Sequence, residues 1–244
     1  MVVNIPAYSL QVIRGAQVVA SYRVVVGKAD TPTPELYSQL TYFQAAPEWR
    51  VPHSIAVGEM LPQLRRAPNY LDRHGYKLYT AGGERANPYR INWKQVTPET
   101  FRYQVRQAPS GRNALGRVVF RFVNPYSIYL HDTPTKAAFR ANNRALSHGC
   151  IRVEKPLELA RFLLQRDDAA QAIKRVKDLQ TSLSQNRTQV FSLKAPVPLY
   201  VRYLTCEAEG SQLRQLPDVY QWDNALAQAW NTGPSALAGV GAGQ

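Results

Sequence analysis

Sulfur and imidazole are scarce in this chain of 244 residues, which holds two cysteines, two methionines and four histidines. Cys150 and Cys206 stand far apart and the histidines are scattered. That excludes the C-x2-C…H-x3-H spacing of a structural zinc module. Long apolar runs are also lacking: nothing reaches the roughly 18 residues that a membrane-spanning helix needs. No basic, apolar and small-residue succession reads as a secretory leader. The chain is therefore expected either to be cytoplasmic or to be trimmed of its targeting sequence. Acidic residues number 17 against 30 Lys and Arg, a net charge of +13. Such a balance suits a polyanionic partner (nucleic acid, anionic lipid or an acidic wall polymer) or serves solubility alone. The basic residues are thinly spread, densest at Arg65-Arg66 and at Lys174-Arg175 with Lys177. Without a basic run or a recognisable nucleic-acid motif, nucleic acid is not expected as a partner.

What is present reads as a folded β-rich domain. Hydrophobic residues make up 45% and charged residues 19%, enough for a core in one large domain or in one domain carrying an insertion. Val2-Val3-Asn4-Ile5-Pro6 opens as a strand. Tyr8 to Ile13, the turn Arg14-Gly15 and the β-branched run Val18 to Val26 make a hairpin pattern. Thr31-Pro32-Thr33-Pro34 breaks into a loop. Between about residues 47 and 107 the texture becomes aromatic, basic and punctuated by Pro and Gly, with Ser54 as candidate N-cap of a helix through Leu64. This stretch is expected to be an inserted, irregular and partly helical subdomain. Its Tyr and Trp side chains could form a lid or the insertion's own small core. Strands resume at Gly116 to Phe122 and at Ser127 to Leu130, which ends at His131. Helical spacing follows over Leu157 to Leu164 and Ala170 to Leu179. A late strand spans Val197 to Leu204, with Pro198 near its start suggesting an edge. The Gly/Ala-rich end, within 226–244, is expected to be a flexible tail.

The informative stretch for chemistry is Ser147-His148-Gly149-Cys150-Ile151-Arg152. A thiol attacks only as thiolate, and a free pKa of about 8.5 leaves little thiolate at neutral pH, so a base or positive charge must stand near. A glycine just before the cysteine lets the backbone approach a substrate carbonyl, where successive N–H groups can hold an oxyanion. Spacing leaves two candidate bases. His148 lies at i−2 on the same face of an extended segment, and His131 ends a strand. Cys206 follows an apolar strand and reads as a small buried hydrophobe. A Cys150–Cys206 disulfide would abolish the nucleophile and carries little weight. His53 and His74 read as ordinary surface residues.

The S-H-G-C-x-R hexapeptide, preceded by Ile128-Tyr129-Leu130-His131-Asp132-Thr133-Pro134, resembles the YkuD-type L,D-transpeptidase family. Asn4-Ile5-Pro6, Val26-Gly27-Lys28, Trp49-Arg50-Val51-Pro52 and Asn113-Ala114-Leu115-Gly116-Arg117 are similar to its larger subgroup with a capping insertion. The resemblance spans roughly residues 2 to 225. It implies a mainly β L,D-transpeptidase β-sandwich with short helices. The catalytic domain would occupy 1–46 and 108–225, and a partly helical capping subdomain 47–107. The peptidoglycan-binding region usual in the subgroup is absent, as expected of a trimmed chain.

The same resemblance selects His131 as the base of Cys150. Cys150 is implied to attack the carbonyl after the third residue of a stem tetrapeptide and to release D-alanine. The backbone carbonyl of Asp132, which departs from the family's commoner glycine, is implied to orient the imidazole. Ser147, His148, Gly149 and Cys150 are implied to shape an oxyanion hole, Tyr129 to line the pocket, and Arg152 to brace the loop or meet a substrate carboxylate. A diaminopimelate amine of a second stem would resolve the thioester into a 3→3 cross-link. Implied with this are carbapenem acylation of the thiol, no metal or cofactor, and a periplasmic or cell-envelope location with a role in wall organisation and cell shape. Any membrane contact would come through a segment outside this chain. Two other functions remain open on the sequence: hydrolysis by the same site (an L,D-carboxypeptidase or wall-anchor hydrolase), and a noncatalytic module binding wall polymer.

Overall fold

A computed structural model describes residues 1–232. Fourteen strands are arranged in three sheets among these residues. The main sheet uses β1 (Val2–Asn4), β2 (Ser9–Arg14), β3 (Gln17–Gly27), β4 (Leu36–Ala45), β8 (Val118–Phe122), β9 (Leu130–His131), β10 (Ala145–Ser147), β11 (Ile151–Val153) and β12 (Gln189–Arg202). Its order is β10-β3-β11-β9-β8-β4-β12-β1-β2. β3 also pairs with β2, so the sheet closes on itself. The length of β3 makes this closure possible. Gln17 to Arg23 pair with β2, while Val24 to Gly27 pair with β11 and β10. The burial along β3 follows this split: its first half is largely exposed, whereas Val24, Val25 and Val26 are wholly buried.

The fold is mainly β, as the YkuD-like pattern implies, with pairing both parallel and antiparallel. Phe43 stacks on Phe191 at 5.1 Å and meets Phe120 at 5.6 Å in the core. Helix α4 (Pro156–Asp167) buries Leu159, Ala160, Leu163 and Leu164 against it, one face of a 3.6-residue period. Helix α5 (Ala172–Ser184) adds Leu179.

The stretch between 47 and 107 holds more sheet than its sequence suggests. β5 (Trp49–Arg50), β6 (Tyr76–Thr80) and β7 (Tyr103–Gln107) form an antiparallel sheet in the order β5-β7-β6. Three short helices, α1 (His53–Ile55), α2 (Leu61–Arg66) and α3 (Tyr70–Arg73), pack on it. A π-helical segment, Ala56–Met60, lies between α1 and α2. A second hydrophobic cluster, including Leu61, Leu64, Leu71, Trp93 and Phe101, is buried here. The ends of this stretch meet at Asn113, whose buried amide donates to the carbonyls of Pro47, Gln107 and Ala108 at 3.0–3.1 Å.

Four expectations need correction. Ser54 is not the cap of the first helix. Val51 N–H still pairs with Val105 C=O, and the helix starts from extended Pro52, whose carbonyl accepts from Ala56. The strand bearing Pro198 is central, flanked by β4 and β1. Tyr200 N–H points to Met1 C=O, so the nitrogen of Pro198, two residues earlier, faces the same side just before β1 begins. The missing N–H thus lies outside the β1–β12 ladder, whose first pair is Val2 with Tyr200. Cys206 is exposed and opens β13 (Cys206–Glu209), which pairs with β14 (Gln212–Gln215), and both cysteines are free thiols. Residues 226–232, expected in a flexible tail, belong to helix α6 (Trp222–Thr232). The remainder of that expected tail, 233–244, lies outside the described residues.

Candidate active site

β9 and β11 run parallel and adjacent, with Leu130 opposite Ile151 and His131 opposite Arg152. Side chains alternate along a strand, so Leu130 and Ile151 enter the core while Tyr129, His131, Cys150 and Arg152 share the opposite face. This two-by-two block lines a cavity of about 360 Å³ together with Trp49, Ile55, Glu59, Leu115, Ser147 and His148. A larger cavity of about 730 Å³ adjoins it across Trp49, Ile128 and Tyr129.

His131 is buried, and its Nδ1 donates to the backbone carbonyl of Asp132, which leaves the Nε2 lone pair free. Burial, helped by the nearby Arg152 charge, pushes its pKa down to about 3. The imidazole is therefore neutral at neutral pH. Burial also pushes the Cys150 thiol up, against the hydrogen bonds of the Tyr129 backbone and hydroxyl and the charges of Arg152 and Arg121. At rest the Cys150 thiol and the His131 imidazole are both uncharged, and no hydrogen bond joins them. Tyr129 is raised as well, chiefly by burial, and stays a protonated donor. Its ring meets His131 edge-on at 5.5 Å and carries Arg121 over its face at 5.0 Å. The buried Trp49 indole N–H lies beside the Tyr129 hydroxyl without a complete hydrogen bond.

The backbone around the thiol is tightly held. Gly149 has φ +103°, a conformation that a side chain would strain. Ser147 Oγ donates to Cys150 C=O at 2.6 Å and accepts the Gly149 N–H at 3.1 Å. That engagement takes the Gly149 N–H out of the set that could hold an oxyanion. The N–H groups of His148 and Cys150 have no internal partner among the described residues. The His148 side chain points away to Glu59, at 2.6 Å, on the π-helical segment. The Asp132 carboxylate is buried and consumed by Arg117 N–H, Thr133 N–H and Lys136. Arg152 is half-buried and has no carboxylate partner among the described residues. Reading the sequence passed over Arg121 and Glu59, and took Thr33 only as part of a loop. Glu59 and Thr33 make contacts with residues distant in sequence, His148 and Gly149, and Arg121 lies over the Tyr129 ring; no local pattern marks these contacts.

A closed, mainly β sheet with a cysteine and a buried histidine on neighbouring strand ends defines the class of domain. The family model for the YkuD L,D-transpeptidase catalytic domain matches residues 1–187, and the chain belongs to that family. It is also 35% identical over 224 residues to a protein of Haemophilus influenzae (strain ATCC 51907 / DSM 11121 / KW20 / Rd) named "Putative L,D-transpeptidase". The match covers 92% of this chain and 44% of that relative, so the chain spans less than half the length of the relative it matches.

Proposed function

We propose that the chain is the catalytic part of a peptidoglycan L,D-transpeptidase that forms 3→3 cross-links through a Cys150 thioester, acting in the cell envelope. The observation that carries this reading is the convergence of Cys150, His131, Tyr129 and Arg152 on one cavity. In the acylation step the Sγ–H proton passes to His131 Nε2 as Sγ adds to the carbonyl carbon of the donor stem. The electron pair of the carbonyl goes to its oxygen, which the open N–H of Cys150 can meet. Collapse expels the D-alanine amine, which takes the proton from His131. The diaminopimelate amine of a second stem then attacks the thioester and restores the thiol.

A neutral pair needs a trigger, and Arg152 supplies one. A substrate carboxylate seated against its guanidinium offsets the charge that helps to hold the imidazole pKa down. Binding of the donor then raises the basicity of His131 at the moment a proton must move. Asp132 takes no part as acid or base in this scheme, since its oxygens are occupied. The region 47–107 serves as a cap, placing Trp49 and Glu59 on the cavity.

Incubation of the protein with disaccharide tetrapeptides, followed by mass spectrometry, tests the reading. Cross-linked dimers are expected from the native chain and not from Cys150→Ala. Tripeptide without dimers would mean hydrolysis instead of transfer. Turnover retained in a folded Cys150→Ala would remove the cysteine from the chemistry.

A further inference from the structure

We infer that Thr33 and Tyr220 are positioning residues that aim the Cys150 N–H at the carbonyl under attack, through a buried hydrogen-bond relay ending on Gly149. This rests on Cys150 as nucleophile and adds residues from a loop and from the C-terminal segment, beyond the stretch that matches the family model.

The relay reads from the C-terminal segment inward. Tyr220 Oη accepts from Thr33 N–H at 3.1 Å and donates to Gly27 C=O at 2.7 Å. Thr33 Oγ1 accepts from Gly27 N–H at 2.8 Å and donates to Gly149 C=O at 2.8 Å. Thr33 is wholly buried and Tyr220 nearly so, so no water replaces these bonds. Gly27 permits the close approach: a Cβ there would stand 2.2 Å from Thr31 O and 2.7 Å from Thr33 N. Tyr220 is clamped in turn. Its N–H donates to Tyr203 Oη, which donates to Asp218, and its ring stacks on Tyr203.

The consequence follows from the planarity of the peptide group. In a trans peptide the C=O and N–H point in opposite directions. The carbonyl of the Gly149–Cys150 peptide is tied to Thr33, so its N–H, belonging to Cys150, faces the other way and stays unpaired. The Ser147–His148 peptide, two units back, is tied likewise: Ser147 C=O accepts from Lys28 N–H at 3.0 Å and from Thr31 Oγ1 at 3.2 Å. Ser147 holds the turn from within, and the Thr31–Thr33 loop holds it from outside. An oxyanion donor fixed before the reaction avoids reorganising when charge develops.

Such a role separates two reactions of one thiol. Acylation by a carbapenem forms the Sγ–C bond and breaks the lactam C–N bond, with the nitrogen taking the proton and an oxyanion formed on the way. Alkylation by iodoacetamide forms Sγ–C and expels iodide with no oxyanion. Both rates would be followed by intact mass in a Cys206→Ser background, where Cys150 is the sole thiol. Thr33→Val should slow acylation roughly 10- to 100-fold, less than outright loss of an oxyanion donor, while alkylation stays within about 2-fold. Thr33→Ser, which keeps the hydroxyl, should restore acylation. Tyr220→Phe, which removes one oxygen, should slow acylation by about 3- to 10-fold, a partial misalignment. Unchanged acylation in Thr33→Val and Tyr220→Phe, or acylation and alkylation falling together, would overturn the relay. A wild-type chain that the carbapenem leaves unmodified at Cys150 would overturn the nucleophile and the relay together.

Discussion

The closed sheet and the stretch between 47 and 107 each bury a hydrophobic cluster of their own, yet they reach the cysteine by different means. The sheet side holds Cys150 and His131 through buried or partly buried bonds: Asp132 C=O to the imidazole, Ser147 to the cysteine turn, Thr33 to Gly149. The other side reaches the cavity through Trp49, Ile55 and Glu59, whose carboxylate meets His148 Nε2 at 2.6 Å with side chains 55% and 41% exposed. Buried hydrogen bonds leave unsatisfied groups when broken, whereas an exposed polar contact exchanges readily with water. On the proposed reading, alignment of the reacting atoms would fall to the sheet, and enclosure of the substrate, adjustable at low free energy, to the stretch 47–107.

The largest effect that this division predicts lies on the sheet side. Cys150→Ala should abolish acylation. His131→Ala should lower the acylation rate by about 10²- to 10⁴-fold, the usual range for loss of a general base. Rapid-quench sampling with intact mass measures both. A loss below about 10-fold in His131→Ala would transfer the base role to another group. His148→Ala should then cost far less, since its side chain turns to Glu59.

Stability offers the next contrast. Phe120→Ala removes a wholly buried ring that packs on Phe43 and should destabilise the whole domain by roughly 3–5 kcal/mol. Trp93→Ala, in the second cluster, removes a comparable ring whose indole N–H donates to Pro88 C=O at 2.8 Å. If the two clusters open separately, hydrogen exchange in Trp93→Ala should accelerate within 47–107 and stay slow in β3, β8 and β12. Uniform acceleration would mean that both clusters unfold as one unit, and the contrast of regions would lose its energetic basis.

Acid titration sharpens the same point through His131. Its folded pKa, near 3, lies below the unfolded value of 6.5. Below pH 6.5 the unfolded chain binds the proton that the folded chain refuses, so stability falls as pH drops from 6.5 toward 3. His131→Asn should therefore lose less Tm than the wild type between pH 7 and pH 4. Equal losses would mean that other groups dominate the acid limb. On the activity side, Arg152→Gln should raise the imidazole pKa, read by NMR, because a charge that holds it down is gone.

Legibility in the sequence followed the range of the contacts. The strand pattern of the first 26 residues and the S-H-G-C-x-R turn were readable because alternation and a motif are local properties. The order of strands was not, because closure depends on β3 pairing with β2 in one half and with β11 in the other. Pro198 pointed to an edge, but its strand is central, flanked by β4 and β1. Tyr220 was invisible for the same reason, since its hydroxyl bonds residues 193 and 187 positions away. The sheet between 47 and 107 escaped notice because Gly and Pro punctuation masked β6 and β7.

The smallest expected effect tests enclosure. Glu59→Gln keeps the shape and removes the charge facing His148. An exposed pair of this kind contributes roughly 0–1 kcal/mol, so Tm should hardly move. If the insertion only encloses substrate, the concentration for half-maximal acylation should rise by about 2- to 5-fold, equivalent to about 0.4–1 kcal/mol, with the saturating rate unchanged. A saturating rate that falls as far as in Thr33→Val would make the Glu59–His148 contact part of the alignment of the thiol, and the proposed boundary between an aligning sheet and an enclosing 47–107 stretch would have to be redrawn through His148.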